Sequence, residues 1–167
     1  MRDGLGDISP RLWRYCLVLS GNRDTAEDLA QAACLRAIEK ADQFEPGTHL
    51  DRWVFRIAQR MWLNDLRAQT VRRGGGLVSV HDTDLPESVT GEKMSPESNI
   101  FVGEVLSQVA ALPQAQREAV MLVYIEGFSY KEAAEVLSIP IGTVMSRLAA
   151  ARSKLAAKLA PQETKAI

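Results

Sequence analysis

The sequence predicts an all-α protein: two small helical domains joined by a flexible linker, the C-terminal one containing a helix-turn-helix. Three observations lead there. Apolar residues recur at steps of three and four rather than two. Cap residues, prolines and glycines punctuate the ends of those runs. A central stretch, "RRGGGLVSVHDTDLPESVTGEKM", has no periodicity, and its glycine triplet and scattered acids read as a strap between domains. The 167 residues, 46% hydrophobic and 25% charged, suit one ordinary domain or two small ones.

Each element has its own signal. Ser9 followed by Pro10 is a cap and first-turn pair, Leu12, Tyr15, Cys16 and Leu19 have helical spacing, and Gly21 closes the run. Asp24 with Glu27 resembles a capping box ahead of Leu29, Ala30, Ala33, Ala37 and Ile38. Thr48 with Asp51 opens a third helix, with Trp53, Val54, Ile57 and Met61 on one face, widened by Phe55 and Trp62. These helices form a domain over 1–68, and 69–94 is the linker. The second domain, 95–167, opens at Ser95-Pro96-Glu97 and continues through Ile100, Phe101, Val105, Val109 and Leu112. Pro113 starts a helix that ends at Gly127. Ser129 with Glu132 boxes a short helix from Tyr130 to Leu137, and after Pro140 a last helix runs from about Gly142 to Leu159.

Charge is unevenly spread although the net is only -1. Residues 1–48 carry six Lys/Arg against eight Asp/Glu, and residues 49–73 carry six against two. Residues 100–140 carry two against five, and residues 141–167 five against one. Each half therefore ends in a basic helix, which suggests phosphate contact at chosen places and acidic faces free for another partner.

Other classes of function lack their residues. Cys16 and Cys34 are too few and too far apart for a disulfide framework or a zinc knuckle and read as buried free thiols, and His49 and His81 have no ligand-spaced companions, so no metal is expected. No catalytic set appears, and the Gly74–Gly76 triplet lacks the lysine and helix start of a phosphate loop. The expectation is a non-enzyme with no cofactor and no small-molecule substrate. No apolar run approaches the roughly 18 residues of a membrane span, and the start "MRDGLGDISPRLW" lacks signal-peptide order, so no membrane insertion and a cytoplasmic location are expected.

The helix-turn-helix rests on spacing. Ala134 is small where two helices would cross, Ser138 lies in the turn four residues later, and Val144 is the apolar anchor beneath the second helix. Stepping about 100° per residue puts Val144, Leu148, Ala151 and Leu155 on the buried side. The opposite side is a strip of small residues, Gly142, Ser146, Ala149, Ala150 and Ser153, flanked by Arg147 and Lys154 on one edge and Arg152 on the other.

"LPQAQREAVMLVYIEGFSYKEAAEVLSIPIGTVMSRLAAAR" resembles the promoter-reading C-terminal domain of the extracytoplasmic-function group of bacterial RNA polymerase sigma factors. Leu112-Pro113, Arg117, Gly127, Ser129-Tyr130, Glu132, Ala134, Gly142-Thr143-Val144, Ser146-Arg147 and Ala151-Arg152 fall on the family pattern. "DTAEDLAQAACLRA" resembles its polymerase-binding helix, and "WVFRIAQRMWLNDLRA" the helix that engages the minus-ten element. The resemblance implies core polymerase contact at Asp24, Glu27, Asp28 and Gln31. It implies minus-ten contact at Phe44, Thr48, His49, Arg56, Arg60, Asn64 and Arg67. Minus-35 contact is implied at Tyr130, Lys131, Thr143, Met145, Ser146, Arg147, Ala149, Ala150, Arg152 and Ser153. Where the family often has asparagine and then aspartate in the third helix, this chain has Arg60 and Asn64. The implied partners are core RNA polymerase, promoter DNA and an anti-sigma factor. A different class of function is a sigma-shaped decoy that occupies an anti-sigma factor without touching DNA. Such mimics usually carry a receiver domain, which this sequence does not contain.

Overall fold

The computed structural model describes residues 2–72 and 107–159. In order come α1 (Arg2–Ser20), α2 (Arg23–Glu39), a 3-10 turn (Ala41–Gln43), α3 (Leu50–Arg72), α4 (Gln114–Val120), a π turn (Met121–Ile125), α5 (Tyr130–Leu137) and α6 (Ile141–Leu159). All regular elements among the described residues are helical. Of the expected linker only residues 69–72 are described, as the last turn of α3, and the expected start at Ser95 lies outside the described residues.

Helix α1 begins well before the predicted Ser9–Pro10 cap, and Pro10 sits inside it. An interior proline costs about 3 kcal/mol in a free helix. Leu5 and Ile8 are both buried in the core, and burying an aliphatic side chain returns about 1.5–3 kcal/mol, so packing carries the helix through the proline. The first turn also runs close to α3: a Cβ on Gly4 would lie 2.9 Å from Leu50 Cδ2.

The cap of α2 is Asn22, not Asp24. Its Oδ1 accepts from the Thr25 amide at 3.0 Å, and Asp24 falls in the first turn, where its charge complements the helix dipole. The preceding Gly21 closes α1 with φ +68°, its amide N–H donating to the Leu17 carbonyl. Ala26, Leu29, Ala30, Ala33 and Ala37 make the buried stripe, while Ile38, predicted to join it, is exposed. Nor does Thr48 cap α3. Its hydroxyl donates to the Glu45 carbonyl at 2.7 Å, and the first helical carbonyl is that of His49, which accepts from the Trp53 amide.

Two lobes result, joined through one continuous apolar core. Leu12, Leu17, Leu19, Ala33, Val54 and Ala58 fill the first; Leu122, Val136, Val144, Leu148 and Ala151 fill the second. Cys16 is buried, and burial next to Cys34 pushes its thiol up to about 12, whereas Cys34, expected buried, is only half so. The predicted face of α3 is redistributed: Phe55 and Trp62 are buried, and Trp53, Ile57 and Met61 are half-buried. The reason is that α3 is gripped from two sides, by α1 and α2 and by α5 of the second lobe.

The seam between lobes is aromatic inside and polar outside. Tyr15 stacks on Phe55 at 5.0 Å, and Phe128 of the second lobe meets Phe55 edge-on at 5.5 Å. Over both phenylalanine rings lies the Arg11 guanidinium, whose Nε donates to Glu126 Oε2 at 2.6 Å. Arg14 reaches the other oxygen of Glu126 at 3.4 Å. Deeper in, Tyr15 Oη donates to Gln59 Oε1 at 2.7 Å, and Gln59 Nε2 donates to Glu118 Oε2 at 3.2 Å. Gln114 Nε2 donates to the second Glu118 oxygen at 2.9 Å and to the Leu19 carbonyl. On the far side Arg52 of α3 pairs with Glu132 at 3.3 Å and Glu135 at 4.0 Å.

The Glu126 side chain is only 1% exposed, and its two arginine partners are each 33% exposed. Glu126→Lys removes their acceptor and adds a third cation, which should weaken the closed form by about 1–3 kcal/mol, below the full value for a buried pair because the arginines are partly solvated. Small-angle scattering should show a larger radius of gyration at unchanged helicity. Wild-type dimensions would mean that the seam holds without this pair.

Burial raises the Glu118 carboxyl above its ordinary pKa, partly offset by the bonds from Gln114 and Gln59 and the charges of Arg147 and Arg117. The folded chain therefore keeps the proton to higher pH than the unfolded chain does. Its stability should fall as pH rises from the unfolded value of about 4.3 through the raised one. Glu118→Gln cannot ionise, so the difference in melting temperature, variant minus wild type, should increase across that window. A difference constant with pH would contradict the assignment.

Candidate nucleic-acid interface

Helix α5 is fixed at both ends. Ser129 Oγ accepts from the Glu132 amide at 3.2 Å, and Glu132 Oε2 accepts from the Ser129 amide at 2.7 Å, so the predicted capping box is present. That backbone bond, with the Ser129 side chain and Arg52, holds the Glu132 carboxyl below its usual pKa against the smaller effect of burial. At the other end Ser138 takes the left-handed conformation, φ 54°, and the Ile139 amide returns to the Ala134 carbonyl at 3.1 Å. The Pro140 carbonyl then accepts from Thr143 and Val144, starting α6. The bend between α5 and α6 is 105°, within the range of helix-turn-helix units. Ala134 is buried at the crossing and Val144 is fully buried beneath α6.

Burial along α6 follows the helical wheel. Val144, Leu148 and Ala151 are buried and Leu155 is half-buried. Gly142, Met145, Ser146, Ala149, Arg152, Ser153 and Lys154 are exposed, and Thr143, Arg147 and Ala150 are half-exposed. Lys131 is exposed and Tyr130 half-buried in the first turn of α5. The Ser146 hydroxyl donates to the Thr143 carbonyl at 3.0 Å, which leaves its oxygen as an acceptor toward solvent. Arg152 Nη1 donates to Tyr124 Oη at 2.9 Å, a contact that sequence reading missed. No periodicity could have revealed it, because Tyr124 lies in the π turn, where the α-helical register no longer applies.

Along α3, Arg56, Arg60, Asn64 and Arg67 recur at steps of four and three; Arg56 is half-buried and the others are exposed. Arg67 Nη1 donates to Asn64 Oδ1 at 3.2 Å. Arg52, one turn earlier, differs because its charge goes to the second lobe. In the preceding loop Thr48 and His49 are exposed, Gly47 has φ +90°, and the half-buried Phe44 ring leans on Trp53 at 5.3 Å. Trp62 is inside, its Nε1 without a partner. On α2, Asp24, Glu27, Asp28 and Gln31 are all exposed, and two exposed apolar residues extend that surface: Leu35, not singled out from the sequence, and Ile38, expected in the buried stripe. The three groups of predicted residues thus occupy three separate surfaces: the outer side of α2, the loop with α3, and α6 with the start of α5. Among the described residues, no single helix is long and apolar enough to cross a membrane.

Comparison with known proteins covers both lobes. The model of sigma-70 region 2 matches residues 7–72, and that of sigma-70 region 4 matches residues 103–155. The ECF RNA polymerase sigma factor EcfG of Rhodopseudomonas palustris is 37% identical over 160 residues, 95% of this chain and 84% of that protein. SigW of Bacillus subtilis is 26% identical over 168 residues, 95% of this chain and 90% of its own. Among solved structures, the sigma factor RpoE of Bartonella quintana, in complex with the anti-sigma factor NepR, superposes with a TM-score of 0.73 at 27% identity, covering 96% of this chain and 97% of that one.

The turn itself is testable. A serine in the left-handed region is strained by about 1–2 kcal/mol relative to glycine. Part of that gain is lost to the greater freedom of glycine in the unfolded chain. Ser138→Gly should therefore raise stability by about 0.5–1 kcal/mol, read as a higher denaturation midpoint at an unchanged slope. A lower midpoint would mean that the Ser138 side chain contributes more than its backbone strain costs.

Proposed function

The chain belongs to the extracytoplasmic-function sigma factors of bacterial RNA polymerase, and we propose that α6 is the helix it lays in the major groove of the minus-35 element. As an alternative sigma factor it binds core polymerase and directs it to a set of promoters. The observation that carries the α6 reading is its division: Val144, Leu148 and Ala151 fully buried, and opposite them an exposed strip of Gly142, Ser146, Ala149 and Ser153. Small side chains let the helix axis approach the groove floor. Readout then falls to the Ser146 oxygen, alanine methyls against thymine methyls, and DNA shape, with the flanking cations on phosphates.

The other surfaces take the remaining roles. Phe44, Thr48 and His49 with Arg56, Arg60, Asn64 and Arg67 engage the minus-ten element, the aromatic ring offering a stacking face and the cations holding phosphate. Asp24, Glu27, Asp28 and Gln31 meet core polymerase. The chain works in the cytoplasm, where polymerase and promoter are, and leaves the chemistry of RNA synthesis to the polymerase. An anti-sigma factor is a further partner, as in the complex of the Bartonella quintana sigma factor with NepR. The decoy alternative leaves the exposed Arg60, Arg67 and α6 strip without a use.

Transcription by core polymerase from a promoter library, with and without the chain, tests this. Addition should give specific initiation; none from any promoter would favour the decoy. Ala149→Glu, which brings bulk and like charge to the groove, should cut initiation about tenfold or more at minus-35-dependent promoters. Wild-type initiation by that variant would remove α6 from the groove.

A further inference from the structure

We infer that Tyr124 is a positioning residue for promoter binding: its hydroxyl holds the Arg152 guanidinium so that the remaining N–H groups meet a backbone phosphate beside the α6 strip. The inference rests on the placement of α6 in the groove. Its first support is the bond itself, Arg152 Nη1 to Tyr124 Oη at 2.9 Å.

The second support is the kind of partner. Arg11, Arg14, Arg36 and Arg52 all pair with carboxylates. Arg152, like Arg67, is instead held by a neutral side-chain oxygen, and of the two only Arg152 lies beside the α6 strip. A carboxylate would neutralise the cation that a phosphate needs; a phenol oxygen restrains it and leaves the charge whole. The two tyrosine hydroxyls leave most of the five guanidinium donors free, so the fork stays open to a phosphate.

The third is placement. Arg152 is exposed, and a free arginine side chain carries about 2 kcal/mol of rotamer entropy that binding must overcome. Tyrosine is stiff, with two side-chain torsions. Tyr124 stands 51% exposed on the π turn, whose Glu126 amide reaches back five residues to the Met121 carbonyl. That widened turn leaves Tyr124 in solvent while its neighbours Met121 and Leu122 are buried. Tyr130 at the start of α5 adds to the same setting: hydrogen bonds to Tyr124 and then Tyr130 raise the Arg152 pKa, and no carboxylate contributes.

The test uses the full chain assembled with core polymerase, and as probe a promoter duplex selected by the wild-type holoenzyme from a randomised library. Affinity is measured across salt concentrations for wild type, Tyr124→Phe, Arg152→Ala and the double variant. Arg152→Ala should lower the slope of log affinity against log salt by about one. Tyr124→Phe should shift the slope the same way, weaken binding about two- to tenfold, the range of one hydrogen bond, and do so alike across promoter variants. In the Arg152→Ala background it should add nothing. Additive losses, or a Tyr124→Phe variant with wild-type affinity or an unchanged salt slope, would overturn the inference while leaving α6 in the groove. If Arg152→Ala alters neither affinity nor slope, the placement of α6 fails with it. Since the phenylalanine variant removes only one exposed hydroxyl, unchanged melting is expected and separates positioning from misfolding.

Discussion

The arrangement hinges on the hydrogen bond from Gln59 to Glu118. Gln59 is 3% exposed and belongs to the first lobe, yet the acceptor for its amide lies in the second. A buried donor without an acceptor costs about 1–3 kcal/mol. The first lobe is therefore incomplete in its polar core, and its Phe55 ring too finds a partner, Phe128, in the second. The Tyr15 hydroxyl, Gln59, Glu118 and Gln114 form one chain of bonds across the seam, and Arg11 with Glu126 closes its outer edge. Water can take over such bonds far more readily than it can replace the packing of Leu122 or Leu148.

The seam also decides which surfaces stay open. It consumes Arg11, Arg14 and Arg52 from the first lobe and Glu118, Glu126, Glu132 and Glu135 from the second. The outer side of α2, the exposed run of α3 and the strip on α6 are untouched by it. Glu132 is shared: it completes the cap of α5 and pairs with Arg52 of α3. The first helix of the DNA-reading unit is thus tied electrically to the helix assigned to the minus-ten element. A partner that draws Arg52 onto a phosphate would release Glu132 to its cap alone.

What could be read from the sequence was local. The Ser129–Glu132 box, the bounds of α5, the Ala134 crossing and the buried side of α6 follow from short-range spacing, and the folded chain has them. Caps erred where two candidates lay close: Asn22 precedes Asp24 by two residues, and its better placement after the Gly21 turn decided the matter. Pro10 misled because the rule for prolines describes an isolated helix, while Leu5 and Ile8 have a core to enter. The π turn has no composition signature, so neither the outward Tyr124 nor the inward Glu126 could be assigned a side. Pairs across the seam join residues more than a hundred positions apart, such as Arg11 and Glu126, and nothing in one sequence marks them as partners.

All three tryptophans, Trp13, Trp53 and Trp62, lie in the first lobe. Indole emission consequently sees one half of the molecule, whereas circular dichroism sees both. The rings also sit at different depths: Trp62 is sealed in the core with its Nε1 unpaired, and Trp53 is half-exposed beside Phe44. A quencher added from solvent therefore reaches Trp53, beside the Phe44 loop, before it reaches Trp62. The protein thus carries an optical gauge of the surface around Phe44 and Trp53 that is distinct from the signal of its interior.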